Sequence, residues 1–383
     1  VSVTATAGSI NEVASTDAAK IIGSSLTLSA STGIGDSGTL DVNVTTVTSA
    51  TSATGGITMN LLGDAVVANG LAADHAVTVT SADASGSGNI TLTATTGSGL
   101  KTYTSLDTNS GSISATATQG NIAIGTITSG TGGTANAVNV TATAGNINEV
   151  TNDASAKVIG NTLTLIAGTG IGTSTTLDVN VNTVTLATSA TGGIVLNLLG
   201  DQVVANGLAA NHAVTVTTAT ATTSGNITLT ATTGSGIKTY TTVDANDGNV
   251  TITATLGNIV LGTLTSDSGV AGTHDIAVTA SAGSITINSS VTSDDDVNLN
   301  ANTTISDNAS DNNADILGNT VSLTAVTGLG SSGNTLDLDV VTVTSATSAS
   351  GGVYLNLLDA NNSGVTVSSA TATTSGDIVL EAT

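Results

Sequence analysis

The sequence predicts an all-β solenoid in which parallel strands coil into stacked layers. Three observations predict it: self-similarity at two scales, a period of two along short segments, and the loss of whole residue classes. VSVTATAGSINEV at Val1–Val13 returns as VNVTATAGNINEV at Val138–Val150. The offset of 137 then holds without a gap through Lys20 and Lys157, Asp41 and Asp178, Asp64 and Asp201, and His75 and His212, to Lys101 and Lys238. A third copy opens at Ile276 with IAVTASAGSI. The chain therefore reads as repeat units 1–137, 138–275 and 276–383 of one continuous rod.

The third copy shows the size of the smaller building block. After Ile285 it drifts out of register and recovers at ILGNTVSLTAVTGLG, where Gly318 answers Gly160 and the offset has grown from 138 to 158. About twenty residues, near 286–314, have entered without disturbing the pattern downstream, as expected if that length makes one self-contained layer. At that length the chain holds about nineteen layers, a rod of about 90 Å at ~4.8 Å per layer. Further on, DANNSG stands where the second copy has GDQVVANGLAANHA, which reads as a trimmed loop.

Inside each unit a short phrase recurs: TATAGSI at Thr4, TATQGNI at Thr116, TATAGNI at Thr141, TATLGNI at Thr253 and TASAGSI at Thr279. Ile90, Leu92 and Ala94 alternate with Thr91, Thr93 and Thr95, the period of a half-buried strand. Gly-Asn and Gly-Ser pairs punctuate these strands and supply backbone freedom for corners.

Composition fits the same architecture. The chain has no Pro, Cys, Phe or Trp, 45 Gly, and Ser and Thr as about a third of its residues. Hydrophobic residues make up 39%, so it has enough apolar surface to bury, but as Val, Ile, Leu and Ala, which suit strands around a narrow core. Pro would remove an inter-layer hydrogen bond from each strand it entered. No disulfide staples the fold, and the absence of Cys accords with export. No apolar run reaches the 18 residues of a membrane span, and the opening at Val1, without a signal segment, reads as a window of something longer.

The phrases GNITLTA at Gly88 and TATAGNINEV at Thr141 resemble the haemagglutinin-type repeats of filamentous haemagglutinin and related bacterial surface exoproteins, and the resemblance runs the length of the chain. It implies a right-handed parallel β-helix, secretion across the outer membrane, and a role in adhesion or biofilm matrix. The near-identical 137-residue units also resemble the tandem blocks of giant surface adhesins.

Residues for chemistry are sparse. His75 and His212 share one repeat position and His274 sits in a turn-like GTHD, so a structural role is expected for all three. Carboxylate pairs serve polysaccharide-cleaving β-helices, but those enzymes add cationic and aromatic side chains, and this chain has four Lys, no Arg and three Tyr. No catalytic residue is assigned, and no cofactor is required. Calcium is the one ligand considered: Asp294, Asp295 and Asp296 form the densest acidic run, and SDNASDNNAD follows with Asp307, Asp311 and Asp315. The bland reading of the run is a solvated acidic loop. Glu12 and Lys20 recur as Glu149 and Lys157; in the third unit the aligned positions read Ile287 and Asp315, so the two charges vanish together, as paired charges would. Lys101 and Lys238, in KTYT, are expected to pair locally with Asp107 and Asp244.

A net charge of −23 repels phosphate backbones and anionic lipid, which excludes nucleic acid and membrane insertion as partners. The expectation is a secreted or cell-surface rod that spaces, packs or adheres, meeting other copies of itself or the surface of a host or neighbouring cell. A surface-layer or sheath subunit is the alternative, and a polysaccharide-active or ice-binding β-helix a distant one.

Overall fold

A computed structural model describes the chain except for residues 15, 17, 64–74, 98–100, 131–135, 201–207, 209–210, 235–237, 268–273, 310 and 359–363. Asp64, Asp201 and most of the shortened loop in the third copy therefore lie outside the described residues. The described residues form strands and no helix, and the strand pairings are parallel, in a β-solenoid of about 14 turns. Two compact units divide the chain, Val1–Ser189 with Gln202–Ala210, and Ala190–Asp201 with Asn211–Thr383. The division falls inside the second sequence repeat.

Each turn of the first unit crosses two parallel ladders whose inward residues stack like on like. One runs Val3, Leu28, Ala50, Ala82, Leu106, Ile127, Val158. The other runs Ile34, Ile57, Ile90, Ile113, Val138, Leu163, Val184. Apart from Val3 all of these are buried. Burying each Ile or Leu contributes roughly 1.5–3 kcal/mol, and the column supplies that at every turn. The second unit has the same construction, with Ile194, Ile227, Val250, Ile276, Val297, Val321 and Val343 in one ladder and Val243, Leu264, Val291, Ile316 and Leu338 in the other.

Turn length differs from the uniform twenty residues expected. The stagger between partners runs from 19 at Leu40 and Met59 to 33 at Ile57 and Ile90, so there are fewer turns than nineteen. The reason lies in strands that serve both ladders. Leu40–Ser52, Leu177–Ser189 and Leu336–Ser348 each run 13 residues, and their leading and trailing halves pair with different neighbours. A register shift recurs in the strand before each, at Leu26/Thr27, Leu163/Thr164 and Val321/Ser322, and turns the strand between its two partners.

One consequence is visible within the first unit. Five ladder steps carry Leu28 to Val158, whereas Leu165, the repeat equivalent of Leu28, lies half a turn beyond, paired with Val140 in the other ladder. A 137-residue repeat thus spans about five and a half turns, and its copies alternate between ladders.

The Gly-Asn corners do more than bend the chain. A Cβ on Gly88 would stand 2.2 Å from the Gly55 carbonyl carbon, and one on Gly111 would stand 1.9 Å from the Gly88 oxygen. The glycines of successive turns lie directly upon one another, with room for hydrogen alone. The Asn beside them fastens the next turn. Asn89 Oδ1 accepts the Ser112 N–H at 2.8 Å, Asn121 that of Asn146 at 3.1 Å, Asn226 that of Asn249 at 2.9 Å and Asn258 that of Ser284 at 3.0 Å. The repeated G-N-I phrase is thus a corner, a clamp and the first inward residue of a strand.

Two inward positions carry aromatic rings. Tyr103 and Tyr240 are wholly buried, and their hydroxyls find no hydrogen-bond partner among the described residues. Burial pushes both phenols far above their ordinary pKa. An orphaned buried hydroxyl is destabilising, so Tyr103→Phe and Tyr240→Phe are each expected to raise stability by about 1 kcal/mol, read as a higher denaturation midpoint.

Candidate functional site

One corner rich in buried polar groups is built three times. The N–H groups of Lys20, Lys157 and Asp315 donate to the carbonyls of Asp41, Asp178 and Asp337, each at 2.8 Å, which fixes the three corners as equivalents. Asp41, Asp178 and Asp337 are all buried, and Asn60 and Asn356 donate to Asp41 and Asp337 at 2.8 Å.

In the first corner Lys20 Nζ lies 3.8 Å from the buried carboxylate of Glu12 and donates to the Thr16 hydroxyl at 2.6 Å and the Ala18 carbonyl at 2.9 Å. In the second, Lys157 is buried and donates to Asp153 at 2.7 Å. Glu149 stands inward there, above Ile124 and Tyr103 in one column. Burial, then the charge of Asp178, pushes its carboxyl up to about 7, although Lys157 pulls it down.

The third corner corrects the alignment drawn from sequence. Below Tyr240 the same column runs Leu261, Ile287, Asp307, so Ile287 belongs to the added turn and Asp307 takes the place of Glu149. The acid is kept; only the Lys is exchanged, for Asp315.

The expected pairing of Lys101 with Asp107, and of Lys238 with Asp244, does not form. Each pair lies along one extended strand, Lys101–Thr108 or Lys238–Asp244, which puts the charges about 20 Å apart at ~3.3 Å per residue. The Lys side chains are instead wholly buried and donate to the carbonyls of Gly97 and Gly234 at 2.5 and 2.6 Å. Burial lowers the pKa of Lys238.

Asp294, Asp295 and Asp296 diverge. Asp294 faces His274 Nδ1 at 3.0 Å, Asp295 accepts the Asn319 amide at 3.4 Å, and Asp296 accepts the Thr320 hydroxyl. Among the described residues no group of three or more His, Asp or Glu side chains is arranged to hold a metal ion. A calcium ion at this run would have to break three bonds that already join neighbouring turns. Asp294→Asn, Asp295→Asn and Asp296→Asn combined are therefore expected to leave the calcium response unchanged, measured as the difference in melting temperature between calcium and sodium at equal ionic strength.

His274 is a clamp that the sequence showed only as a turn residue. Its Nε2 lies 2.7 Å from Asp247 and its Nδ1 3.0 Å from Asp294, so one imidazolium ties three successive turns. Burial opposes its charge, but the hydrogen bonds to Asp294 and Asp247 outweigh that and hold its pKa above the ordinary value. His75, in contrast, faces the Val44 carbonyl at 3.0 Å.

On the outside, a groove of about 350 Å³ is lined by Thr102, Asn121, Asn146, Asn148, Glu149 and Val150. Asn121 and Asn148 commit their carbonyl oxygens to the Asn146 and Ser174 N–H groups, which leaves the groove short of free polar tools. Among the described residues no helix is long and apolar enough to cross a membrane. No family model, curated protein or solved structure matches the chain.

Proposed function

We propose that this chain is structural shaft from a secreted or cell-surface bacterial protein, and that its work is mechanical: spacing, packing or adhering, without an active site. The observation that supports this most is where the polar side chains are used. The corner Asn residues, His274, Asp294 to Asp296 and the corner Lys residues bind groups of their own corner or of a neighbouring turn. A catalytic site needs acid and base groups converging on an open cleft, and these groups converge on the fold's own seams. The setting outside the cell rests on the resemblance of GNITLTA and TATAGNINEV to haemagglutinin-type repeats. Partners on this reading are other copies of the chain, or the surface of a host or neighbouring cell, met across a strongly acidic surface.

The test couples the chain to beads and measures their retention on bacterial and host cells and on one another. A panel of polysaccharides is assayed in parallel for release of reducing ends. Retention without release supports the reading; turnover of any polysaccharide overturns it.

A further inference from the structure

Asp307, Asp315 and Asp337 are 7%, 3% and 1% exposed, and they occupy the corner where the earlier copies hold an acid, a Lys and an acid. The Asp337 N–H donates to Asp315 Oδ2 at 2.9 Å, and Asn356 donates to Asp337 at 2.8 Å. Asp307 lies close enough to Asp315 to act on its carboxyl by charge and by hydrogen bonding, and both oppose its ionisation.

Among the described residues, the charged groups that act on Asp315 are the negative Asp307 and Asp337. Asp307 reaches it from the strand Thr304–Asp307, Asp311 lies in the segment between, and Asp337 approaches from the strand Leu336–Ser348, with Asp339 two residues on. No Lys or Arg follows Lys238 in the sequence. A cavity of about 300 Å³ beside the corner is lined by Asn288, Ser289, Ser290, Asp311, Asn313 and Asp315.

We propose that this corner is a pH-responsive seam, in which a proton on the buried Asp315 keeps the turn at 304–340 closed and its loss to solvent opens that turn alone. Burial, then the charges of Asp307 and Asp337, pushes Asp315 up to about 8, against the pull of the Asp337 N–H. A carboxyl whose folded pKa is raised stabilises the fold fully below its unfolded value, near 4, and loses that contribution as pH climbs through the folded one. In the second corner Glu149 is also raised, but there Lys157 answers the new charge, so the opening is smaller.

Hydrogen exchange of the full chain, corrected for intrinsic rates, tests this. The opening constant of amides at 304–340 is expected to climb up to tenfold per pH unit between pH 5 and 8 and to level beyond, while that at 147–181 rises far less. Asp315→Asn removes the titrating group and Asp315→Lys restores the arrangement of the earlier corners; each should flatten the climb to less than about threefold in all. Should either fail to fold, Asp307→Asn makes the same test by removing a carboxylate that opposes ionisation of Asp315. A flat wild-type profile at 304–340, or an undiminished climb in the variants that fold, overturns the proposal.

Discussion

Gly111→Ala and Gly88→Ala will each lower stability by on the order of 4 kcal/mol, and both will abolish protection of the adjoining turns. The added methyl meets backbone: the Gly88 oxygen at 1.9 Å in one case and the Gly55 carbonyl carbon at 2.2 Å in the other. Backbone in a stacked layer cannot step aside without breaking the ladder above and below, so the strain falls in the range that few single substitutions reach. Gly8→Ala and Gly333→Ala are the controls. A Cβ at either meets nothing within 4 Å, and neither glycine has a positive φ. Both are expected to be neutral, or to gain about 0.4–1 kcal/mol by restricting the unfolded chain. Stacked arrays can melt in parts, so the comparison is best made by hydrogen exchange and limited proteolysis beside the melting curve.

Deleting residues 286–305 will leave a folded chain, whereas deleting 286–295 will not. Ile285 and Ile305 are register partners on neighbouring turns, and Thr286 sits over Ser306, so the longer deletion joins Ile285 to Ser306 and removes one whole turn. The junction then reads Ile-Ser-Asp where the second copy has Ile147, Asn148 and Glu149, and the column through Leu261 and Ile285's strand continues to Asp307. The stagger thus places the removable unit at 286–305 rather than across 286–314. Cutting half of it would swing every inward residue beyond the cut out of its ladder. Native-like circular dichroism and cooperative melting for the first deletion, with aggregation of the second, is the expected outcome. Equal loss in both would show that the turns are not independent layers.

Strands were legible in the sequence because alternation is a local signal. Ile90, Leu92 and Ala94 face the core as their spacing predicts, and after Ile285, where the offset jumps, Ile305 is its partner on the next turn. What was hidden depends on which turn lies above which. Aligned by letters, Glu149 met Ile287; aligned by ladder, it meets Asp307, and a vanished ion pair becomes a cluster of acids. Gly88 read as a flexible corner, since nothing along the chain announces Gly55 and Gly111 stacked on either side. Asn89 and Asn226 read only as corner residues beside a glycine, and their side chains are clamps across 23 residues. The candidate calcium ligands were adjacent in sequence, but the bend between two strands turns Asp294, Asp295 and Asp296 to three different partners on neighbouring turns.

A repeat that ends on a half turn decides how copied chemistry is displayed. Thr27 points outward from one ladder of the first unit, and its copy Thr164 points outward from the other. Had the repeat filled a whole number of turns, duplication would have lined up every copy on one flank, a one-sided brush. At about five and a half turns, duplication makes the material two-faced: a weak contact encoded once is offered in opposite directions after a single copying event. On the proposed reading of a shaft that packs or adheres, two neighbours would then be gripped by the same residues at once, so the gain from duplication would be bivalence, with its multiplication of weak affinities, before any residue has to change.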